Sequence, residues 1–237
     1  SLGRRVPTAL AYGAIAGAAV FGPWPTFVVL TLALFAIGVL ELTGLYARER
    51  PIIRRLAVVL GAIYLAVGLG SLVVLWGAWG AYAHHAVPDV LAARGITALP
   101  GWLLLAVLPA WAADVAAYAV GSLVGRRPLV PRLSPGKTWE GTIGGFAAAA
   151  LAAFGVGAWL GLPRLPVTLA VIGIGPVALA GDLAESWVKR RVGAKDSGTL
   201  LPGHGGVLDR IDSLLLVAPF VVFLLALADA TSRGAFL

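Results

Sequence analysis

The segment from Ser186 to Asp212 combines five cationic side chains, three carboxylates, a histidine and five glycines between two apolar stretches. A single Asp, Lys or Arg at the centre of a membrane helix costs about 2.5–3.5 kcal/mol on insertion scales, so dense polarity at a membrane boundary indicates a functional site. Cations, carboxylates and glycine turns together suit phosphate groups and a divalent metal. The segment therefore predicts a site for phosphates and a divalent cation.

The end of this segment carries the residues best suited to a metal. Asp209 and Asp212 are spaced i and i+3 at the start of an apolar helix, so their carboxylates share one side and can bind Mg²⁺ through oxygen. The preceding glycine-rich turn exposes backbone N–H groups to an anion, and His204 within it can donate to a phosphate oxygen. The structural alternative is that Asp209 caps the helix and Asp212 pairs with Arg210 or another neighbour.

Two predicted helices present polar faces. The helix before the segment carries four polar residues at i, i+3, i+4 and i+7, which are Asp182, Glu185, Ser186 and Lys189. An earlier helix carries Asp114 and Tyr118 at i and i+4. We expect these faces to meet at one cavity, although hydrogen bonding inside the bundle is an alternative role for Asp114 and Asp182.

A third polar segment, from Ser134 to Thr138, contains the sequence Gly-Lys-Thr. It is not a P-loop, because Pro131 stands where that motif requires glycine and no buried parallel strand precedes it. The segment predicts a Ser-Pro turn that brings Lys137 to a phosphate; the alternative is a charge that sets membrane topology. The three lysines of the chain, Lys137, Lys189 and Lys195, all lie in these polar segments.

Composition shows what must position these residues. Of 237 residues, 59% are hydrophobic and 12% are charged, and the mean hydropathy is +0.93, which is typical of an integral membrane protein. The fold class predicted is an all-α polytopic helix bundle with about seven transmembrane helices, within a range of six to eight. The predicted spans are Val6–Phe21, Trp24–Tyr46, Leu56–Trp79, Leu99–Val124, Thr142–Leu162, Val167–Val188 and Ile211–Ala230.

The distribution of charge predicts the topology. With a cytoplasmic N-terminus, fifteen Lys and Arg residues lie in inside segments and three lie outside. This asymmetry supports an odd number of spans and places the segments after the fourth and sixth spans on the cytoplasmic side. The net charge of +7 suits anionic lipid and nucleotide phosphates, and no nucleic acid partner is expected because the chain has no soluble basic domain.

We divide the whole chain into two parts, which are N-terminal transmembrane helices, residues 1–98, and a C-terminal catalytic transmembrane domain, residues 99–237. His84 and His85 lie in a predicted external loop, where incidental placement is favoured over metal ligation. The absence of cysteine excludes thiolate chemistry. Small-residue faces make a homodimer reasonable.

The polar spacing resembles the signature of phosphatidate cytidylyltransferases, also called CDP-diacylglycerol synthases. The residues that carry the resemblance are Ser186, Lys189-Arg190, Lys195-Asp196, Pro202, His204-Gly205-Gly206, Asp209-Arg210 and Asp212. It extends upstream to Gly181-Asp182-Leu183 with Glu185, to Ser134 through Trp139, and to Asp114 with Tyr118 and Gly121. The first 98 residues are recognisable only as hydrophobic spans.

The resemblance implies transfer of CMP from CTP to phosphatidate with Mg²⁺, at the cytoplasmic face of the inner (plasma) membrane and among membrane lipids. The catalytic residues expected are Lys189, Asp209, Asp182, Ser186 and His204, with Asp182, Asp209 and Asp212 as metal ligands. The phosphate-binding residues expected are Lys137, Lys189, Arg190, Lys195, His204 and Ser134. Supporting roles fall to Asp114, Glu185, Asp196 and Arg210, and the carboxylates could also hold a second, monovalent ion.

Two other functions share parts of this pattern. A cytidylyltransferase for an archaeal-type ether lipid phosphate would use the same polar residues and differ in the lipid tail. A transporter of phosphorylated solutes could also place cations and acids between helices, but it gives no reason for the run from His204 to Asp212.

Overall fold

The computed structural model describes residues 13–78, 100–198, 200 and 205–232. Within them, six helices are long and apolar enough to cross a membrane. They are α1 (Trp24–Leu45), α2 (Pro51–Gly77), α3 (Gly101–Val124), α4 (Trp139–Trp159), α5 (Arg164–Arg191) and α6 (Leu208–Ser232). The all-α polytopic membrane fold is therefore confirmed. Residues 13–21 are also helical, and the beginning of the predicted first span lies outside the described residues.

The helices extend beyond the predicted apolar spans into polar sequence. α2 begins at Pro51 and includes Arg54 and Arg55, and α5 continues to Arg191. α4 begins at Trp139 because Thr138 caps it, its Oγ1 accepting the N–H of Gly141 at 3.1 Å. Hydropathy marks only the part of a helix that lies in lipid, so it misses these polar ends.

A short β-hairpin joins α3 to α4 where the sequence predicted only a turn. β1 (Pro128–Val130) pairs antiparallel with β2 (Ser134–Thr138). At the base of the hairpin, the Glu140 carboxylate accepts the N–H groups of Arg126 and Arg127 at 3.1 and 3.2 Å. Backbone groups between two membrane helices need partners, which the hairpin provides. Gly-Lys-Thr therefore lies on a strand, in agreement with the rejection of a P-loop.

Glycines bring the helices that carry the polar faces into backbone contact. A Cβ at Gly145 of α4 would lie 2.8 Å from the carbonyl oxygen of Ala113 on α3. A Cβ at Gly181 of α5 would lie 2.5 Å from the carbonyl oxygen of Asp212 on α6. This close packing sets the polar faces of α3, α5 and α6 side by side.

The apolar core and the outward faces are both made of aliphatic side chains. Leu65 and Leu69 of α2 and Val217 and Leu224 of α6 are almost completely buried. Leu123, in contrast, is 82% exposed. In lipid both the buried face and the outward face of a helix can be apolar, so hydrophobicity alone does not determine which face is buried. Packing and polar contacts therefore orient the helices.

Candidate functional site

A cavity of about 300 Å³ opens among α3, α4, α5, α6 and the end of β2. The charged residues that line it are Asp114, Lys137, Asp182, Asp209, Arg210 and Asp212. Tyr118 of α3 also lines it. The two predicted polar faces meet at this cavity through Asp114 and Tyr118 of α3 and Asp182 of α5. The rest of the α5 face, which is Glu185, Ser186 and Lys189, is not part of the lining. The segments after α3 and α5 lie at the same end of the bundle.

One wall of the cavity carries an ion pair between the hairpin and α5. The Lys137 ammonium on β2 donates to Asp182 Oδ2. Ser186, one turn further along α5, donates from Oγ to Asp182 Oδ1 at 3.4 Å. Both charged side chains are about one quarter exposed, at 25% and 26%. The pair therefore faces the open space of the cavity.

A second ion pair connects α5 to the start of α6. Lys189 Nζ lies 2.5 Å from Asp209 Oδ1 and 3.3 Å from Glu185 Oε2. Asp209 Oδ2 also accepts the N–H of Ser197 at 2.9 Å and that of Gly206 at 2.7 Å. The Lys189 and Asp209 side chains are only 11% and 7% exposed. The predicted common face of Glu185 and Lys189 is confirmed. The N–H groups that donate to Asp209 belong to Ser197 and Gly206, which precede α6, so these contacts hold the preceding turn and do not cap the helix.

Asp114 connects α3 to α6 through a serine that the sequence analysis did not identify. The Ser213 hydroxyl lies 3.2 Å from Asp114 Oδ2 and 3.3 Å from Asp212 Oδ1. A hydroxyl has one hydrogen, so it donates to one of these carboxylates at a time. Asp114 thus has a structural hydrogen bond and also lines the cavity.

Four other predicted site residues are not among those that line the cavity: Arg190, Lys195, Asp196 and Ser134. Arg190 donates to the carbonyl oxygens of Leu133, at 3.2 Å, and Ala194, at 2.9 Å, so it fastens the end of α5 to the hairpin turn. Lys195 and Asp196 are exposed in the turn after α5, and Ser134 pairs with Val130 in the hairpin, away from the cavity lining. Three predicted residues lie outside the described part of the chain: His84, His85 and His204.

The predicted metal ligands Asp182, Asp209 and Asp212 all line the cavity. In the described ranges, no three His, Asp or Glu side chains are grouped closely enough to hold an ion. Instead, Lys137 pairs with Asp182, and Lys189 lies between Asp209 and Glu185, where its positive charge offsets the repulsion between neighbouring carboxylates. The donor chemistry fits Mg²⁺, which prefers carboxylate oxygen, and the metal stays a prediction.

Glu41 and Ser197 belong to this polar cluster but were not predicted. Glu41 of α1 lies within hydrogen-bonding distance of Ser197, Val207 and Leu208. Ser197 follows Lys195 and Asp196, so its position within the signature was an available signal. For Glu41 the available signal was a single carboxylate in an otherwise apolar predicted span, where an ionisable side chain indicates a functional contact. Its partner Ser197 was not predictable, because the two residues are 156 positions apart.

Comparison with known proteins extends the resemblance seen in the sequence. Phosphatidate cytidylyltransferases from Brucella suis biovar 1 (strain 1330) and Bacillus subtilis (strain 168) are 52% and 44% identical over 115 and 128 residues, or 46% and 53% of this chain. The enzyme of the same name from Pseudomonas aeruginosa (strain PAO1) is 38% identical over 174 residues, or 70% of this chain. The chain spans 40%, 48% and 59% of the lengths of these three relatives.

The matched region and the polar cavity coincide. A sequence model described as the cytidylyltransferase family matches residues 97–228, which is more than half of the chain. Both lysine–aspartate pairs and the Asp114–Ser213 contact fall inside this range. Glu41 lies before it. Because the match includes the residues that the bundle gathers around its cavity, the chain belongs to the cytidylyltransferase family.

Proposed function

We propose that this protein transfers CMP from CTP to phosphatidate, giving CDP-diacylglycerol and pyrophosphate. The observation that carries the proposal is a cavity within a membrane helix bundle that is lined by the Lys137–Asp182 pair and by Asp209, the partner of Lys189. The shared name of the relatives supports the choice of reaction.

The reaction joins two polyanions. An oxygen of the lipid phosphate attacks the α-phosphorus of CTP and forms the new phosphorus–oxygen bond. The bond from the α-phosphorus to the oxygen that bridges to the β-phosphate breaks, and its electron pair leaves with pyrophosphate. Such a reaction needs positioning and charge neutralisation rather than a covalent enzyme intermediate.

The two lysines have the contacts that this chemistry requires. Lys137 and Lys189 each pair with a carboxylate, and each ammonium has three donors, so each lysine can bind a phosphate beside its aspartate. Arg190, Lys195, His204 and Ser134 are proposed as further phosphate-binding residues. Ser186 keeps Asp182 oriented by its hydrogen bond.

Mg²⁺ would be held by Asp182, Asp209 and Asp212, and when bound it would neutralise charge on the triphosphate. Asp209 is already oriented by backbone N–H groups of Ser197 and Gly206. A second, monovalent ion among the same carboxylates is part of the proposal.

The cellular location rests on charge and the placement of the cavity. The hairpin, the end of α5 and the start of α6 lie together, and these segments carry the Arg and Lys residues that the positive-inside rule places in the cytoplasm. We therefore propose that this integral membrane protein works at the cytoplasmic face of the inner (plasma) membrane. A homodimer is also proposed, from small-residue helix faces.

The test is formation of CDP-diacylglycerol by the purified protein in detergent with labelled CTP, phosphatidate and Mg²⁺. Product from the wild type, and none without Mg²⁺, supports the proposal. Product only with an ether lipid phosphate would reassign the lipid substrate. A folded protein that converts neither lipid would overturn the proposal, and phosphorylated-solute flux in vesicles would then be measured.

A further inference from the structure

Glu41, near the end of α1, contacts the polar segment from a distant part of the chain. Its Oε1 accepts the N–H of Val207 at 2.8 Å, and its Oε2 accepts the N–H of Leu208 at 2.9 Å. The same Oε2 lies 3.0 Å from the hydroxyl oxygen of Ser197. One carboxylate therefore fastens both the turn after α5 and the beginning of α6 to α1.

These contacts fix the first turn of α6. The N–H groups at the start of a helix have no partner within it, and a negative charge there is favourable because of the helix dipole. Glu41 satisfies two such groups, at Val207 and Leu208. Asp209 is the next residue, so its position follows from how this turn is held.

Ser197 provides a second connection from Glu41 to Asp209. Its hydroxyl oxygen lies 3.0 Å from Asp209 Oδ2 as well as 3.0 Å from Glu41 Oε2, and it is only 5% exposed. Since a hydroxyl donates one hydrogen, Ser197 is shared between the two carboxylates. Its N–H also donates to Asp209.

Two glycines permit this close approach. A Cβ at Gly206 would lie 2.6 Å from both carboxylate oxygens of Glu41, and a Cβ at Gly198 would lie 2.8 Å from Oε1. Any side chain at these positions would displace the Glu41 carboxylate. The backbone of the polar segment is thus shaped around Glu41.

We propose that Glu41 is a positioning residue that holds the Asp209–Lys189 pair in place at the cavity, acting through Ser197 and the first turn of α6. The effect on turnover rests on the function proposed above. The role in local structure does not, so the two can fail separately.

The test uses the 237-residue chain with Glu41→Gln. Glutamine has the same size as glutamate but only one acceptor oxygen. Its amide NH₂ would face the N–H of Val207 or Leu208, so one of these hydrogen bonds is lost. We expect faster hydrogen–deuterium exchange in peptides that cover residues 205–212, with unchanged exchange in α3 and α4. We also expect kcat to fall about tenfold or more with little change in KM for CTP, as when outer groups that orient metal ligands are lost.

Two further variants sharpen the test. Glu49→Gln changes a glutamate in the turn after α1 and should leave exchange and kcat unchanged. Ser197→Ala added to Glu41→Gln should lower kcat by less than the product of the two single effects, because both residues act on Asp209.

The proposal is overturned if Glu41→Gln leaves kcat at the wild-type level, or leaves exchange of residues 205–212 unchanged. Faster exchange in all helices, with kcat lost only in proportion to folded protein, would also overturn it by showing a general structural role. If the wild type forms no CDP-diacylglycerol, the proposed function fails, and local exchange alone decides whether Glu41 positions this turn.

Discussion

The two lysine–aspartate pairs differ in their surroundings. Lys137 and Asp182 both line the cavity, whereas in the other pair Asp209 lines it and Lys189 does not. Lys137 and Asp182 join the hairpin to α5 and are each about one quarter exposed, at 25% and 26%. Lys189 and Asp209 join α5 to α6 and are 11% and 7% exposed. Asp209 also accepts backbone N–H groups from Ser197 and Gly206, whereas Asp182 accepts one further hydrogen bond from the described residues, that of the Ser186 hydroxyl.

This difference indicates that the two lysine–aspartate pairs have different roles, although their side chains are the same. A partly exposed ion pair contributes little to stability, so replacing one partner by a phosphate costs little. A buried pair held by several hydrogen bonds loses much more when one partner is removed. We infer that the Lys137 pair opens to admit phosphate while the Lys189 pair stays as a fixed part of the site.

The largest effect is expected from Asp209→Asn. Turnover should fall by about 100-fold or more, the size of effect seen when a preorganised electrostatic group is removed. The fold should persist because Glu185 still lies 3.3 Å from Lys189. The measurement is the initial rate of CDP-diacylglycerol formation, with circular dichroism as the control for folding. Normal turnover would remove Asp209 from the site.

Lys189→Ala should affect both activity and stability. Asp209 and Glu185 would keep buried charges without their ammonium partner, which costs about 3–5 kcal/mol when one member of a buried pair is removed. Thermal unfolding in detergent should show a clear decrease in Tm, and turnover should fall strongly. A variant with wild-type Tm would show that the Lys189 pair is not the more structural of the two.

Lys137→Ala separates the pairs most directly. We expect a stability change below about 1 kcal/mol, because the pair is partly exposed. Turnover should nevertheless fall about tenfold or more, as a positioned phosphate contact is lost. Arg132→Ala, in the turn of the same hairpin, is the matched control and should leave both properties unchanged. A decrease in Tm equal to that of Lys189→Ala would contradict the comparison.

The smallest effect is expected from His84→Ala. This residue belongs to the predicted external loop, away from the polar segments in sequence. Turnover and its Mg²⁺ dependence should be unchanged when measured beside the wild type. A loss of activity would add the loop to the site and show that the two pairs do not act alone.

The sequence predicted contacts between side chains correctly where the residues concerned lie close together in one helix. The i, i+3, i+4 and i+7 spacing on α5 placed Asp182 with Ser186 and Glu185 with Lys189, because helix geometry alone determines which residues share a face. The hairpin was missed because its strands are short and contain proline and glycine, which read as a turn.

By itself, the sequence determined that this is a polytopic helical membrane protein, because segments that cross lipid must be apolar and long enough to span it. It also predicted a polar segment suited to phosphate and metal, because helical periodicity shows which polar residues share a face. It also carried the signature of the family. Only the tertiary structure decided which carboxylate each lysine neutralises and that Glu41 of α1 contacts the start of α6. These contacts join residues far apart in the chain, and their strength depends on burial and distance, which no local pattern encodes.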